Sequence, residues 1–468
     1  MATQPTSKMA ATQPNIIFIM ADDHAAKAIS CYGAGINETP NLDRIANEGM
    51  RFNHCYVTNS ICTPSRAAII TGTHNHVNGV LTLNYKINNV LPMVQKHLKH
   101  AGYQTAMIGK WHLGPNGRHM ERGYVTDIIT DKTLDFIRNR DTTKPFFLYQ
   151  EDIKVPESFN DEYKNRAKAA AAAKMRVTED LRYNDLGLCQ PEGGSEVGEL
   201  DEPNFPQRPD RKIPFPQDVS SMVLIDKLTG ENFRFKNQDE LRHFKYQRYM
   251  KRYCRTVHSV DENVGRILDY VDSLGKEVAD NTMIIYTSDQ GFFLGDHGWF
   301  DKRFIYEESF QMPLLVKYPK EIKPGSICND IVSNVDFAPL WLDLANYPIP
   351  SYMQGFSFRK LLRGETPENW QKVAYHRYWM HNDSPHECRA HYGVRNQRYK
   401  IIYWYNKDFK LAGTRPGGEP PEWELFDCEK DPLELLNQYH NPEFAVVVKE
   451  MTRLLEEKMG EIGDVWDH

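Results

Sequence analysis

Five short runs carry the residue types that could do chemistry. Cys62-Thr63-Pro64-Ser65-Arg66, followed by Ala67-Ala68 and Thr71-Gly72, places one thiol at a loop-to-helix junction. A lone cysteine there is usually a buried structural thiol, but the Cys-x-Pro-x-Arg spacing makes poor sense as packing and good sense as a nucleophile that is processed before use. Asp22-Asp23 and Ser288-Asp289-Gln290-Gly291 are acidic loops far apart in the chain. Most adjacent Asp pairs are solvated turns, yet two such loops converging would present oxygen donors to one hard cation, calcium or magnesium rather than zinc. Lys110 and His112 lie in Gly109-Lys110-Trp111-His112-Leu113-Gly114, and Lys302 closes Gly295-Asp296-His297-Gly298-Trp299-Phe300-Asp301-Lys302-Arg303. Taken alone, a Lys and a His two residues apart on a loop are unremarkable.

The elements that must position these groups are strands and helices in alternation. Residues 15–20 form a continuous apolar run, expected as a strand buried on both faces that delivers Asp22-Asp23 to its carboxyl end. Further strands are expected at 104–108, 146–149, 283–287 and 314–318, and helices at 39–48, 90–101, 168–174 and 239–274. This alternation implies an α/β fold with its active groups at the carboxyl ends of strands. From about residue 366 the pattern changes to short antiparallel strands at 372–379, 390–395, 399–405 and 423–427, then a terminal helix near 442–458. The expected organisation is an N-terminal domain over 13–365 and a smaller α+β subdomain over 366–468, with loops at 190–217 and 415–421.

Composition narrows the class. The 468 residues, 40% hydrophobic and 26% charged, suffice for one large domain and a smaller one. No run of about 18 apolar residues is present, so no membrane-spanning helix is expected. A net charge of −6 argues against a nucleic-acid binder. The eight cysteines include no Cys-x-x-Cys pair, against a zinc knuckle or a thioredoxin-type site. The first residues lack a basic segment followed by an apolar one. A cytoplasmic protein is expected if that start is native, and a periplasmic or secreted one if a signal peptide was removed.

Taken together, and in their order along the chain, the five runs resemble the motifs of type I sulfatases, of the bacterial carbohydrate kind, within the alkaline-phosphatase-like superfamily. The resemblance extends from Asn15 to about Asp431, through Tyr392-Gly393-Val394-Arg395 and Leu425-Phe426-Asp427. It implies an alkaline-phosphatase-like mixed sheet flanked by helices, with a small C-terminal α+β subdomain. It also implies that Cys62 is oxidised to formylglycine by a formylglycine-generating maturation enzyme, and that hydrolysis of a sulfate ester follows. Asp22, Asp23, Asp289, Gln290 and modified Cys62 would then hold Ca2+, or Mg2+. Gln290 is a departure, since Asn or His is common there. Arg66 would steady the formylglycine, Lys110 and Lys302 would neutralise sulfate oxygens, His112 would serve sulfate elimination, and His297 would line the substrate pocket. The implied partner is a sulfated polysaccharide or its oligosaccharides.

Arg389, His391, His376 and His381 are candidate contacts for an acidic sugar, with surface solvation as the plainer reading. Tyr378, Trp379, Trp404 and Tyr405 could floor a sugar subsite or lie in the core. After Pro145-Phe146-Phe147-Leu148-Tyr149 relatives carry a histidine that protonates the leaving alcohol. This chain instead runs Gln150-Glu151-Asp152-Ile153-Lys154-Val155-Pro156, which leaves His297 and Lys302 as substitutes. Two alternatives are a phosphonate or phosphate diester hydrolase of the same superfamily and a catalytically impaired glycan-binding homologue.

Overall fold

The computed structural model describes residues 13–114, 127–128, 130–131, 156–191 and 218–467. Its main sheet has five strands, in the order Asn15–Ala21, Thr282–Ser288, Leu314–Lys317, Met50–Phe52 and Ser326–Cys328. The first two are parallel, with Asn15 opposite Thr282 and Ala21 opposite Ser288. Leu314–Lys317 runs antiparallel to Thr282–Ser288, so the sheet is mixed. The register between the first two strands is what matters for chemistry, because Asp22 and Asp289 leave the sheet side by side.

Thr282–Ser288 is buried along its whole length, whereas Asn15–Ala21 is mostly half-buried. The expectation of a first strand buried on both faces is corrected accordingly: among the described residues it pairs only with Thr282–Ser288. The strand expected at 104–108 also fails to form, since that segment has no ladder partner among the described residues and much of it is exposed. An extended segment without partners leaves its backbone groups to water and has nothing to hold it as a strand. The strand expected at 146–149 and the histidine-free run 150–155 lie outside the described residues.

The helix Cys62–Thr71 begins at the candidate nucleophile. Ala67 and Ala68 favour helix and fit a fully buried face, and Gly72, at φ 66°, ends it in the left-handed conformation glycine allows. The long helix Gln238–Ser273 is capped by Asn237, whose side chain accepts from the Glu240 N–H at 2.9 Å. A four-stranded antiparallel sheet follows, in the order Ala374–Tyr378, His391–Arg395, Tyr399–Trp404 and Glu422–Asp427. Met451, Leu455, Met459 and Ile462 of the helix Ala445–Ile462 pack on its Tyr392, Val394, Ile401 and Leu425 face. No helix among the described residues is long and apolar enough to cross a membrane.

Candidate active site

At the carboxyl ends of the two parallel strands, donor atoms of Asp22, Asp289 and Cys62 lie within 4.8 Å of one another. Asp289 Oδ1 accepts from the Asp23 N–H at 3.1 Å, and Ser288 Oγ from the His24 N–H at 2.9 Å. These bonds stitch the two acidic loops together. Asp23, His112, Asp301 and Arg303 all have left-handed φ, at 58°, 55°, 72° and 100°. Such strain in non-glycine residues clusters where side chains must be aimed rather than packed.

Three cations meet the three acids. Arg66 binds Asp289 Oδ2 through Nε at 2.9 Å and Asp22 Oδ1 through an Nη at 3.0 Å, and its other Nη donates to the Lys110 carbonyl at 2.8 Å. Lys110 Nζ reaches both Asp22 oxygens at 2.7 and 2.8 Å. Lys302 Nζ lies 2.5 Å from Asp23 Oδ1 and 3.5 Å from Asp301 Oδ1. Burial works against the Lys302 ammonium, but Asp23, Cys62 and Asp301 outweigh it and hold its pKa well above the usual lysine value. The exposed His112 is shifted the other way, by partial burial and by Lys110 and Arg66, so it is a neutral proton acceptor at neutral pH. Asp22, Lys110 and His112 form the open rim, while Asp289, Gln290, Cys62, Arg66 and Lys302 are buried below it.

The donor set fits a hard divalent cation. Burial pushes Asp289 up to about 7, with Asp22 and Asp23 adding to the shift and Arg66 opposing it, so the carboxylates are crowded beyond what the local cations relieve. Gln290 donates through Nε2 to Asp23 Oδ1, while its buried Oε1 has no hydrogen-bond partner among the described residues. A buried amide oxygen without a donor is costly unless something electropositive faces it. Burial also pushes the Cys62 thiol up to about 12, despite Lys302. A thiol so rarely ionised is a poor nucleophile as it stands, in keeping with a side chain that acts only after conversion.

Other sequence expectations fall elsewhere. His297 is fully buried between Arg166, 3.0 Å from its Nδ1, and Glu308, 3.5 Å from its Nε2. It is a network residue and does not face a substrate. His391 is equally buried, accepting from the Ile305 N–H at 3.2 Å and donating to the Arg389 carbonyl at 2.8 Å, and burial lowers its pKa to about 3. His376 accepts from the Ser60 N–H at 3.0 Å, and His381 bonds the Gly417 carbonyl. Arg389 is committed to Glu419 at 2.7 Å and Asn382 at 2.6 Å. Tyr378, Trp404 and Tyr405 are core. Sequence reasoning missed Asp383 and His386. Arg303 contacts Asp383 at 2.9 Å and Asp301 at 2.7 Å, and His386 Nε2 lies 2.9 Å from Asp301. Although burial would raise it, Arg303 and His386 hold Asp383 at about 2. This ionic group braces the loop that carries Lys302; no motif signals it, because its members lie some 80 positions apart.

Comparison with known proteins gives the chain its family. The family model described as Sulfatase matches residues 14–124 and 117–347, and the one described as N-sulphoglucosamine sulphohydrolase, C-terminal, matches 295–461. An N-acetylglucosamine-6-O-sulfatase of Bacteroides thetaiotaomicron is 39% identical over 505 aligned positions, covering 97% of this chain and 87% of the relative. An ulvan-active sulfatase of Formosa agariphila is 26% identical, covering 97% and 82%. A solved structure described as in complex with its substrate D-glucosamine-2-N,6-O-disulfate superposes with a TM-score of 0.79 at 38% identity, covering 96% of this chain and 98% of that one. A phosphonate monoester hydrolase of Agrobacterium radiobacter, with a TM-score of 0.66 at 17% identity over 96% of each chain, shares the fold alone. The architecture is therefore the alkaline-phosphatase-like one, and family membership implies formylglycine and a divalent metal. With family models spanning most of its length and a relative 39% identical over nearly all of it, the chain belongs to the sulfatase family.

Proposed function

We propose that this sulfatase releases the 6-O-sulfate of a glucosamine residue, in oligosaccharides derived from a sulfated polysaccharide. The observation that carries the reaction type is the Cys62, Asp22 and Asp289 cluster flanked by Lys110 and Lys302. The position and sugar rest on the relative named an N-acetylglucosamine-6-O-sulfatase and on the neighbour described with a 6-O-sulfated glucosamine.

Formylglycine at position 62, made by a formylglycine-generating enzyme, would supply a geminal diol that provides both a nucleophile for sulfur and the hydroxyl whose loss of a proton releases sulfate. A divalent cation, calcium in this reading, would be held by Asp22, Asp23, Asp289 and Gln290 and would supply Lewis acidity beside that hydroxyl. Lys110 and Lys302 bind the sulfuryl oxygens, where charge grows as the ester breaks. Lys302, kept protonated by its acidic neighbours, is in this reading the group that gives a proton to the leaving sugar oxygen. His112, neutral and exposed, takes the proton of the hydroxyl that expels sulfate. Arg66 grips Asp22 and Asp289 and so sets the distance between the two loops.

Sulfate release from the 6-sulfates of N-acetylglucosamine and N-acetylgalactosamine, from glucosamine 2-N-sulfate and from a phosphate diester tests this reading. The expected result is a preference of at least about tenfold for the first. Faster turnover of any of the other three overturns it.

A further inference from the structure

The long helix Gln238–Ser273 carries none of the groups so far placed in the site, yet two of its side chains bond the two segments that meet there. Tyr253 Oη donates to the Asp23 carbonyl at 2.8 Å and accepts from the Ala25 N–H at 2.9 Å. It therefore closes the turn in which Asp23 holds its left-handed φ of 58°. Tyr249, about one helical turn earlier, donates from Oη to the Phe293 carbonyl at 2.6 Å. Phe293–Leu294 pairs with Phe300–Asp301, Phe293 opposite Asp301, and Lys302 is the next residue. Residues four apart on a helix share a face. One face of a rigid element thus holds both the turn that aims Asp23 and the hairpin that aims Lys302.

Packing keeps these links short. Gly295, φ 94°, lies in the turn of the hairpin, where a Cβ would meet Tyr246 Cε2 at 2.6 Å, so the helix sits hard against it. The Phe292 ring stacks on Tyr253 with centroids 5.5 Å apart and planes 7° apart, and Lys302 Nζ lies 5.7 Å from the Phe292 centroid. Where the two supports end, Lys302 Nζ is 2.5 Å from Asp23 Oδ1. Asp23 and Asp301, at φ 58° and 72°, flank this contact. Backbone held in the left-handed region keeps its aim only while its surroundings over-determine it, and the two tyrosine hydroxyls are part of those surroundings.

We propose that Tyr249 and Tyr253 are positioning residues of the active site: their hydroxyls set the separation of Asp23 and Lys302, and so the aim of the Lys302 ammonium at the leaving sugar oxygen. The inference rests on the proton-donating role given to Lys302 in the preceding section and extends it to the helix behind the site. Removing either hydroxyl leaves the ring and its packing in place but frees one loop. A displacement too small to unfold the protein still costs much of a positioned group's catalytic advantage.

The test uses the calcium-loaded enzyme carrying formylglycine, with N-acetylglucosamine 6-sulfate and 4-nitrophenyl sulfate as substrates. Tyr253→Phe and Tyr249→Phe are each expected to lower kcat on the sugar sulfate about tenfold more than on the aryl sulfate, with KM for the sugar sulfate within about twofold of the parent's. In a Lys302→Met background the same substitutions are expected to cost less than about twofold further, since a residue that acts through Lys302 has nothing left to aim. Equal losses on both substrates, or the full loss again in the Lys302→Met background, overturns the proposal. If another sugar sulfate is hydrolysed and the 6-sulfate is not, the 6-O assignment fails and the same ratio is read on that sugar. If the parent releases sulfate from no ester, the reaction type fails, and calcium calorimetry of the cation-free protein decides the positioning. An affinity loss of about fivefold in Tyr253→Phe then upholds the hold on Asp23, and an unchanged affinity overturns it.

Discussion

Lys302 is asked to do two things, to bind a sulfuryl oxygen and to protonate the leaving oxygen, and these are separable. An activated phenol leaves without help, whereas a sugar alcohol needs its proton. Lys302→Met is therefore expected to cost about 10²-fold more in kcat on a sugar sulfate than on an activated aryl sulfate; equal losses on both would leave Lys302 as a charge clamp only. Changing Gln290, whose buried Oε1 has no donor among the described residues, to Ala is expected to lower divalent-cation affinity by at least about tenfold, read by calorimetry. At this scale Asp22, Asp23, Asp289 and Arg66 were legible in the sequence because each sits in a short run ending a strand or opening a helix, and Lys110 and Lys302 because each lies in a short run of distinctive residue types. His297 and His391 were misread for a physical reason. A histidine in a polar run has the same letters whether it faces solvent or completes a buried network, and only the partners Arg166, Glu308 and Ile305 from distant segments decide.

At the scale of elements, the site exists because two strands are parallel and in register, Ala21 opposite Ser288. Gly291, just past that exit, has no room for a side chain, since a Cβ there would lie 2.2 Å from the Glu308 carbonyl and 2.5 Å from that of Gln311. Gly291→Ala should destabilise by about 3 kcal/mol in urea unfolding and reduce turnover by displacing Asp289 and Gln290; a variant as stable as the parent would show that the loop has slack. Elements with strong periodicity or continuous apolar runs, such as Thr282–Ser288 and Gln238–Ser273, were legible almost to their ends. The run 104–108 has strand-like letters but no ladder partner among the described residues, and pairing is a property of two segments rather than one.

For the whole molecule, the α/β order followed by an antiparallel C-terminal sheet was readable from the change of pattern near residue 366, because each class of element has its own period. The bracing of the Lys302 loop by Asp383 and His386 was not, since it joins the C-terminal part of the chain to the loop in front of the main sheet. Stability should report the crowded acids. Burial raises the pKa of Asp289 from the usual carboxylate range to about 7. In cation-free buffer the folded state thus binds a proton that the unfolded state does not between about pH 4 and 7. Cation-free protein is expected to gain stability as pH falls through that window, and to be stabilised at pH 8 by about 2.7 kcal/mol when calcium is added at a hundred times its Kd. Asp289→Asn should flatten both responses in thermal melts; a variant with the parent's pH and calcium dependence would remove Asp289 from the cation site.

The proposed hydrolysis requires Cys62 to be a processed nucleophile, and the mass of the Cys62 peptide is the most direct measurement of that. In protein co-expressed with a formylglycine-generating enzyme, the expected peptide is one in which the thiol has been replaced by an aldehyde. An unchanged thiol, in cells where a control sulfatase is converted, would contradict it.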